Sequence, residues 1–255
     1  MAGIIPWQAA CSASGMIGVF DSGVGGLTVL RALRRRMPHS DFLYVGDTAH
    51  APYGCKPASL VTGYASAIAS LLCDRGAEAV VVACSTASAL ALPELRRRCR
   101  VPVWGVVDAG VEAATRATRS GHVGVIATQA TIANGAYQRR LEARGCRVWA
   151  RACPLLVQVA EEGRADSPEA SVLAENYLAS RPEIDTLILG CTHFPLLRRA
   201  IQRATGKGVR LVDGAEGVAV EVSAAFHGKH RESGRVERLT TGPLKKRLVQ
   251  EAALA

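Results

Sequence analysis

The chain has few aromatic residues and no long hydrophobic run. Phe, Trp and Tyr make up 5% of its 255 residues, although 49% are hydrophobic. Arg, Asp, Glu or Gly interrupts each apolar run before the roughly 18 to 20 residues that a membrane-spanning helix needs. A secretory signal has Lys or Arg ahead of its apolar part, and residues 1–15 have neither there. We therefore expect a cytoplasmic protein outside the membrane, with residues 1–15 as an N-terminal extension.

Motifs for metals, nucleotides and pyridoxal are also missing. The eight cysteines are irregularly spaced and include no C-x-x-C, which disfavours a structural zinc site or a disulfide framework. The glycine-rich segment DSGVGGL, residues 21–27, lacks the Lys-Ser/Thr of a P-loop and the spacing of a dinucleotide site. None of the five lysines ends a predicted strand, so no Schiff-base lysine is evident. We expect no metal and no cofactor.

The charge is unbalanced, with 31 Lys and Arg against 22 Asp and Glu and a net charge of +9. The arginines form short clusters, such as residues 34–36 and 96–98, at the polar ends of helical patterns. No long basic tract with interleaved aromatics occurs, which argues against nucleic-acid binding. An anionic small substrate is compatible with the charge.

Short apolar runs alternate with helical patterns along the chain, which predicts βαβ units and parallel sheets buried on both faces. The segment from Ile17 resembles the segment from Val123, 106 residues later, and Cys84 and Cys191 are 107 residues apart. We therefore predict an α/β fold with two similar doubly wound parallel-sheet domains, related by a pseudo-two-fold axis, and an active site in the cleft between them. Residues 16–108 with 212–255 form the first predicted domain, and residues 109–211 the second.

Polar residues cluster at the predicted carboxyl ends of the strands, where ligands of such sheets bind. They are Asp21, Ser22, Asp47, Cys84, Ser85, Thr86, Thr128, Cys191, Thr192 and His193. The two cysteines are the sharpest signal, because each follows an apolar strand and precedes a helical pattern whose positive end favours a thiolate.

Two opposed thiols suit the removal of a proton from one face of a carbon acid and delivery to the other face. A free thiol titrates near pH 8.5, so a modest shift would leave one member as thiolate and the other as thiol. Amides or hydroxyls at Ser22, Ser85, Thr86 and Thr192 could stabilise the enolate-like charge. His193 could orient the Cys191 thiol, whereas Asp21 is either a helix cap or a catalytic neighbour. The segment APYG, residues 51–54, taken alone indicates only a turn.

The motifs IGVFDSGVGGLTVL, YVGDTAHAPYG, ACSTAS, GVIAT, ACPLLVQVAEEG and GCTHFPLL together resemble the bacterial glutamate racemases over about residues 16–230. DSGVGGL with GCTHFP separates the chain from aspartate and hydantoin racemases of the same superfamily. The resemblance implies a cofactor-independent isomerase that interconverts L- and D-glutamate for peptidoglycan, and hence serves cell-wall biogenesis and cell shape.

The resemblance also implies roles for individual residues. Cys84 would act on D-glutamate with help from Asp21, and Cys191 on L-glutamate with help from His193. Glu161 is a further catalytic candidate. The implied substrate-binding residues are Asp21, Ser22, Tyr53, Gly54, Ser85, Thr86, Thr192 and His193. A homodimer is a further expectation.

Ser85 stands where the family usually has Asn. Its hydroxyl is shorter than an amide and would reach a substrate carboxylate through a bridging water, so we predict weaker binding or altered selectivity. Asp108-Ala109-Gly110 and VQVAE, ending at Glu161, also depart from the family pattern. Two alternatives stay open: an enzyme for another carbon acid, such as aspartate or an arylmalonate, and a binding or regulatory protein.

Overall fold

The computed structural model describes residues 15–226 and 234–243. Its strands are β1 (Met16–Asp21), β2 (Asp41–Gly46), β3 (Ala79–Val82), β4 (Val103–Gly105), β5 (His122–Ala127), β6 (Arg147–Ala152), β7 (Thr186–Gly190), β8 (Arg210–Val212) and β9 (Val236–Thr240). Its α-helices are α1 (Leu27–Arg36), α2 (Ala58–Asp74), α3 (Ser85–Leu90), α4 (Leu92–Arg98), α5 (Val106–Ala117), α6 (Gln129–Asn134), α7 (Ala136–Glu142), α8 (Pro154–Glu161), α9 (Pro168–Leu178), α10 (Arg198–Thr205) and α11 (Ala215–Ala225). Short 3₁₀ helices lie at Tyr53–Cys55 and Phe194–Leu197.

The strands form two separate parallel sheets. The first has the order β4-β3-β1-β2-β9 and the second the order β6-β5-β7-β8. If β5 to β8 are matched with β1 to β4, both sheets have the same strand order. The predicted α/β fold with two similar parallel sheets is therefore confirmed, and the repeat in the sequence corresponds to a repeated topology.

Strand β9 was not predicted. It pairs in parallel with β2 at the edge of the first sheet, and most of its residues are exposed or half-buried. An edge strand of this kind lacks the continuous apolar run that identifies the buried strands. The run VPVWGVV was predicted to be a strand throughout. In the structure the strand ends at Gly105, and helix α5 begins at Val106.

Helices cover both faces of each sheet. Ile17 and Val19 of β1 pack in a buried cluster with Leu30 of α1, whereas Phe20 belongs to a second cluster with Ile68 of α2. Successive side chains of a strand point to opposite faces, so this division follows from the strand geometry. Of the helices in the described ranges, none is long and apolar enough to cross a membrane.

Helix α5 connects the two halves. Val106 and Ala109 belong to a buried cluster of the first sheet, whereas Val107 and Val111 belong to one of the second. Asp108 on the same helix is within ion-pair distance of Arg96 and Arg140. The division of the chain at residues 108 and 109 thus falls inside a helix that serves both cores, and it remains a proposal.

Candidate active site

Cys84 lies just beyond β3 and is 4% exposed. Its side chain is the N-cap of α3, since the Ala87 amide donates to Sγ over 3.5 Å. The thiol also donates a hydrogen bond to Ser22 Oγ over 3.4 Å. The turn after β1 and the start of α3 thus hold this sulfur from two sides.

Cys191 directly follows β7 and is also buried. Its Sγ is 3.5 Å from Nδ1 of His193. The segment after it differs from the expected α-helix, because the chain forms a 3₁₀ helix from Phe194 and α10 begins only at Arg198. Proline at the second position of this 3₁₀ helix and the ring of Phe194 in the core favour a tight turn here.

His193 lies between Cys191 and Glu161. Its Nε2 atom is buried and has no hydrogen-bond partner, while Oε1 of Glu161 on α8 is 3.5 Å away. The structure therefore brings together a carboxylate, an imidazole and a thiol in the second half. Within residues 15–226 and 234–243, no group of three or more His, Cys, Asp or Glu side chains could hold a metal ion.

Asp21 joins the two halves at the level of the thiols. Its Oδ2 accepts from the Gly23 amide over 3.0 Å, and its Oδ1 accepts from Thr192 Oγ1 of the second half over 3.2 Å. A Cβ atom at Gly25 would lie 2.6 Å from Thr192 Oγ1. The glycine-rich turn thus allows the second half to approach Asp21 closely.

Three buried threonine hydroxyls form a second link between the halves. Thr86 of α3 is 2.9 Å from Thr128 and 3.2 Å from Thr131, and these two are 2.8 Å apart. Thr131 was not identified from the sequence, because it lies inside α6 and not at a strand end. Its position three residues after the N-cap Thr128 is the one signal that could have indicated it.

Tyr53 and Ser85 have side-chain partners that limit their predicted roles. Tyr53 is 1% exposed, and its hydroxyl donates to Oδ2 of Asp47 over 2.5 Å. A substrate contact by this residue would therefore use the main chain. Burial raises the pKa of the Tyr137 hydroxyl, and an interaction with Ser85 opposes this rise; the sequence did not indicate Tyr137. Gly54 packs against Thr128, since a Cβ at this glycine would lie 2.6 Å from Thr128 Cβ.

Burial dominates the electrostatics of the thiols. It raises the pKa of Cys84 to about 11, and the nearby Asp21 carboxylate adds to this rise. Burial raises the pKa of Cys191 further, with smaller contributions from Cys84, Asp21 and Glu161. The pKa of Asp21 is also raised by burial, although His193 opposes the shift. Burial therefore favours the protonated form of both thiols, and the pairing of one thiolate with one thiol stays a prediction.

Two buried thiols at equivalent strand ends of a repeated α/β fold are the arrangement expected of an amino-acid racemase that uses two acid/base groups. The Asp/Glu/Hydantoin racemase family model matches residues 27–222, and the chain belongs to this family. Within the family it is most like the glutamate racemases. The Thermus thermophilus glutamate racemase is 49% identical over 231 residues, which cover 89% of this chain and 87% of that protein.

Solved structures show the same likeness. The crystal structure of the Thermus thermophilus glutamate racemase in complex with β-chloro-D-alanine superposes with a TM-score of 0.85 and 46% identity, covering 93% of each chain. That of the Francisella tularensis glutamate racemase in complex with D-glutamate superposes with a TM-score of 0.87 and 30% identity, covering 94% of this chain and 93% of the other. Both of these relatives bind an amino acid or an amino-acid analogue.

Proposed function

We propose that this chain interconverts L- and D-glutamate, with Cys84 and Cys191 exchanging the roles of base and acid and with no cofactor. The observation that carries the proposal is the hydrogen bond between Thr192 and Asp21. It joins the strand end beside one thiol to the strand end beside the other. The glutamate racemases that resemble this chain over most of its length support the choice of glutamate. The product D-glutamate would supply peptidoglycan synthesis.

The reaction removes one proton from the α-carbon and adds one proton to its opposite face. In one direction the Cys84 thiolate removes the α-proton of D-glutamate, and the Cys191 thiol delivers its proton to the opposite face. Cys84 ends as the thiol and Cys191 as the thiolate, and L-glutamate is formed. The reverse reaction uses the same two groups with exchanged roles, as a symmetric equilibrium requires.

The raised thiol pKa values define what the substrate must contribute. A positive charge beside a buried thiol favours the thiolate. The ammonium group of glutamate carries such a charge and would lower the thiol pKa values from those set by burial, provided that donors of the site neutralise the two substrate carboxylates. Asp21 would accept the proton of Cys84, because burial raises the pKa of this carboxyl and so favours its protonated form. His193, 3.5 Å from the other sulfur, would do the same for Cys191, and Glu161 would hold the imidazole.

The anionic groups of glutamate need donors. Main-chain amides near Ser22, Tyr53, Gly54 and Thr192 and the hydroxyls of Thr86 and Ser85 are the proposed donors. His193 completes the set of donors, whereas the Asp21 carboxylate would accept a hydrogen bond from the ammonium group of the substrate. A bridging water between the Ser85 hydroxyl and the substrate remains our expectation, because this hydroxyl is shorter than the amide it replaces.

The test of the function is incorporation of solvent deuterium. The enzyme is incubated with L-glutamate in deuterated water, and the D-glutamate formed is analysed by chiral chromatography with mass spectrometry. We expect D-glutamate that carries one deuterium at the α-carbon. Parallel incubations with L-aspartate and an arylmalonate measure selectivity. If L-aspartate or the arylmalonate is turned over faster than glutamate, that compound and not glutamate is the preferred substrate.

A cytoplasmic location and a homodimer belong to the same proposal and rest on the resemblance to bacterial glutamate racemases. The subunit mass is 26.9 kDa. Light scattering coupled to size-exclusion chromatography should give about twice this value. A mass of one subunit at the concentrations used for the activity assay would reject the dimer.

A further inference from the structure

Asp47 is a buried carboxylate to which the proposed reaction gives no role. It follows β2 and is 1% exposed. Its Oδ2 accepts the Tyr53 hydroxyl over 2.5 Å, and its Oδ1 accepts Thr241 Oγ1 over 2.5 Å. His50 Nδ1 lies 2.8 Å from Oδ1 and 3.0 Å from Oδ2. This carboxylate therefore has several strong hydrogen bonds, which a buried charge requires.

The carboxylate lies where three segments of the first half meet. The Asp47 amide donates to the carbonyl oxygen of Asp21 over 2.9 Å, so the residue is tied to the strand end of the proposed site. Thr241 belongs to the segment after β9, and Tyr53 begins the 3₁₀ turn at Tyr53–Cys55. A change of the Asp47 side chain would leave this main-chain bond in place and would act on the turn and on the segment after β9.

The turn at Tyr53–Cys55 faces the second half. Gly54 lies so close to Thr128 that a Cβ atom would be 2.6 Å from Thr128 Cβ. Thr128 in turn is 2.9 Å from the hydroxyl of Thr86. The Gly54 main chain thus lies against the second half, directly after Tyr53 in the chain.

The ring of Tyr53 packs in a buried cluster, and its hydroxyl is held by Asp47. Burial and the carboxylate both raise the pKa of the Tyr53 hydroxyl, so it keeps its proton and acts as the donor. Breaking this bond would leave a buried carboxylate with one partner fewer, which is costly. The tyrosine ring is therefore fixed in one orientation, and the amides of the turn with it.

We propose that Asp47 is a positioning residue, which holds the turn at Tyr53–Cys55 so that its main chain can bind a carboxylate group of the substrate. The proposal rests on the proposed function. Asp47 does not take part in proton transfer, and its effect is on the affinity for glutamate.

Tyr53→Phe and Asp47→Asn test this role, with Thr48→Val as the matched control. Thr48 binds the same C-terminal segment, since its hydroxyl donates to the Gly242 carbonyl over 2.9 Å and accepts the Gly242 amide over 3.0 Å, but its side chain has no hydrogen bond with Asp47. Hydrogen bonds to charged groups are worth enough to change binding about ten-fold or more. We expect KM for both enantiomers to rise about ten-fold in Tyr53→Phe and Asp47→Asn, with kcat within about two-fold of the parent.

The double variant distinguishes positioning from general damage. If both residues act through their shared hydrogen bond, Asp47→Asn with Tyr53→Phe should raise KM no more than the larger single effect. Thr48→Val should lower Tm but leave KM unchanged. Equal KM values in the parent and in Tyr53→Phe, or a KM increase of the same size in Thr48→Val, would overturn the proposal. If the parent itself does not racemise glutamate in this series, the proposed function fails instead.

Discussion

The two thiols occupy equivalent positions in the two halves, yet their neighbours differ. Cys84 caps an α-helix and donates to Ser22. Cys191 precedes a 3₁₀ helix and lies beside His193, with Glu161 behind the imidazole. The repeated topology has therefore kept the place of the sulfur while the groups that would move its proton have diverged. In the first half this group is a carboxylate, and in the second half it is an imidazole.

The electrostatics follow the same division. Burial raises the pKa of Cys84 to about 11, and it raises that of Cys191 further. Cys84 has more hydrogen-bond donors for its thiolate than Cys191 has. They come from Ser22 and from the Ala87 amide, and each donor lowers the pKa of Cys84. A site that catalyses a symmetric reaction thus has two unequal sides, and experiments can ask which side limits the rate.

Removal of either thiol should have the largest effect. Cys84→Ala and Cys191→Ala should each lower racemisation by about a thousand-fold or more, because proton transfer on one face is lost. Each variant should still exchange the α-proton of one enantiomer with deuterated water: L-glutamate in Cys84→Ala and D-glutamate in Cys191→Ala. Mass spectrometry of the recovered substrate measures this exchange. Exchange of the opposite enantiomers would reverse the assignment of the thiols, and undiminished racemisation in either variant would reject the two-thiol mechanism.

Loss of the neighbouring acid/base groups should lower the rate less, and it should change the isotope effects of the two enantiomers differently. Asp21→Asn and His193→Asn should each lower kcat/KM by about a hundred-fold. The loss must be equal in both directions, since the enantiomers have the same free energy. The isotope effects need not be equal. Asp21→Asn should enlarge the primary isotope effect for α-deuterated D-glutamate, because proton transfer at Cys84 becomes slower, and His193→Asn should enlarge it for L-glutamate. Identical isotope effects for both enantiomers in both variants would contradict the separate roles.

The thiol pKa values predict how stability depends on pH. A thiol with a raised pKa in the folded state stabilises the fold below its unfolded pKa of about 9, and this contribution is lost as the pH rises through about 11. For Cys84 the loss amounts to about 2 to 3 kcal/mol of unfolding free energy. Urea unfolding at pH 8 to 11 should therefore show a smaller decline in Cys84→Ala than in the parent. Parallel stability curves for the two proteins would mean that the Cys84 thiol is not buried as described.

Much of the fold could be predicted from local patterns. Buried parallel strands are continuous apolar runs, so the repeated units were recognisable, and the residues after each strand were expected to meet at one edge of the sheet. Strand β9 was missed because its exposed edge residues carry no such pattern. Helix α5 shows a further limit, since nothing local indicates that one helix will contribute to two cores.

The candidate site was predictable in its centre and less so around it. Cys84, Cys191 and Asp21 were indicated by their positions at strand ends, and the structure places Asp21 against Thr192. Thr131 and Tyr137 were not indicated, because each lies inside a helix and meets its partner only through packing between elements. Tyr53 was expected at the substrate, and this stays a prediction for its main chain, since its hydroxyl is bound to Asp47.

The sequence by itself determined the order of strands and helices, the repeat, and the placing of one thiol at the end of a strand in each half. These features depend on residues close together in the chain, whose spacing local geometry dictates. Only the tertiary structure decided which side chains meet across the cleft, and how far burial raises the pKa of each thiol. A pKa depends on all the charges and the solvent within a few ångströms, and folding brings those groups from distant parts of the chain.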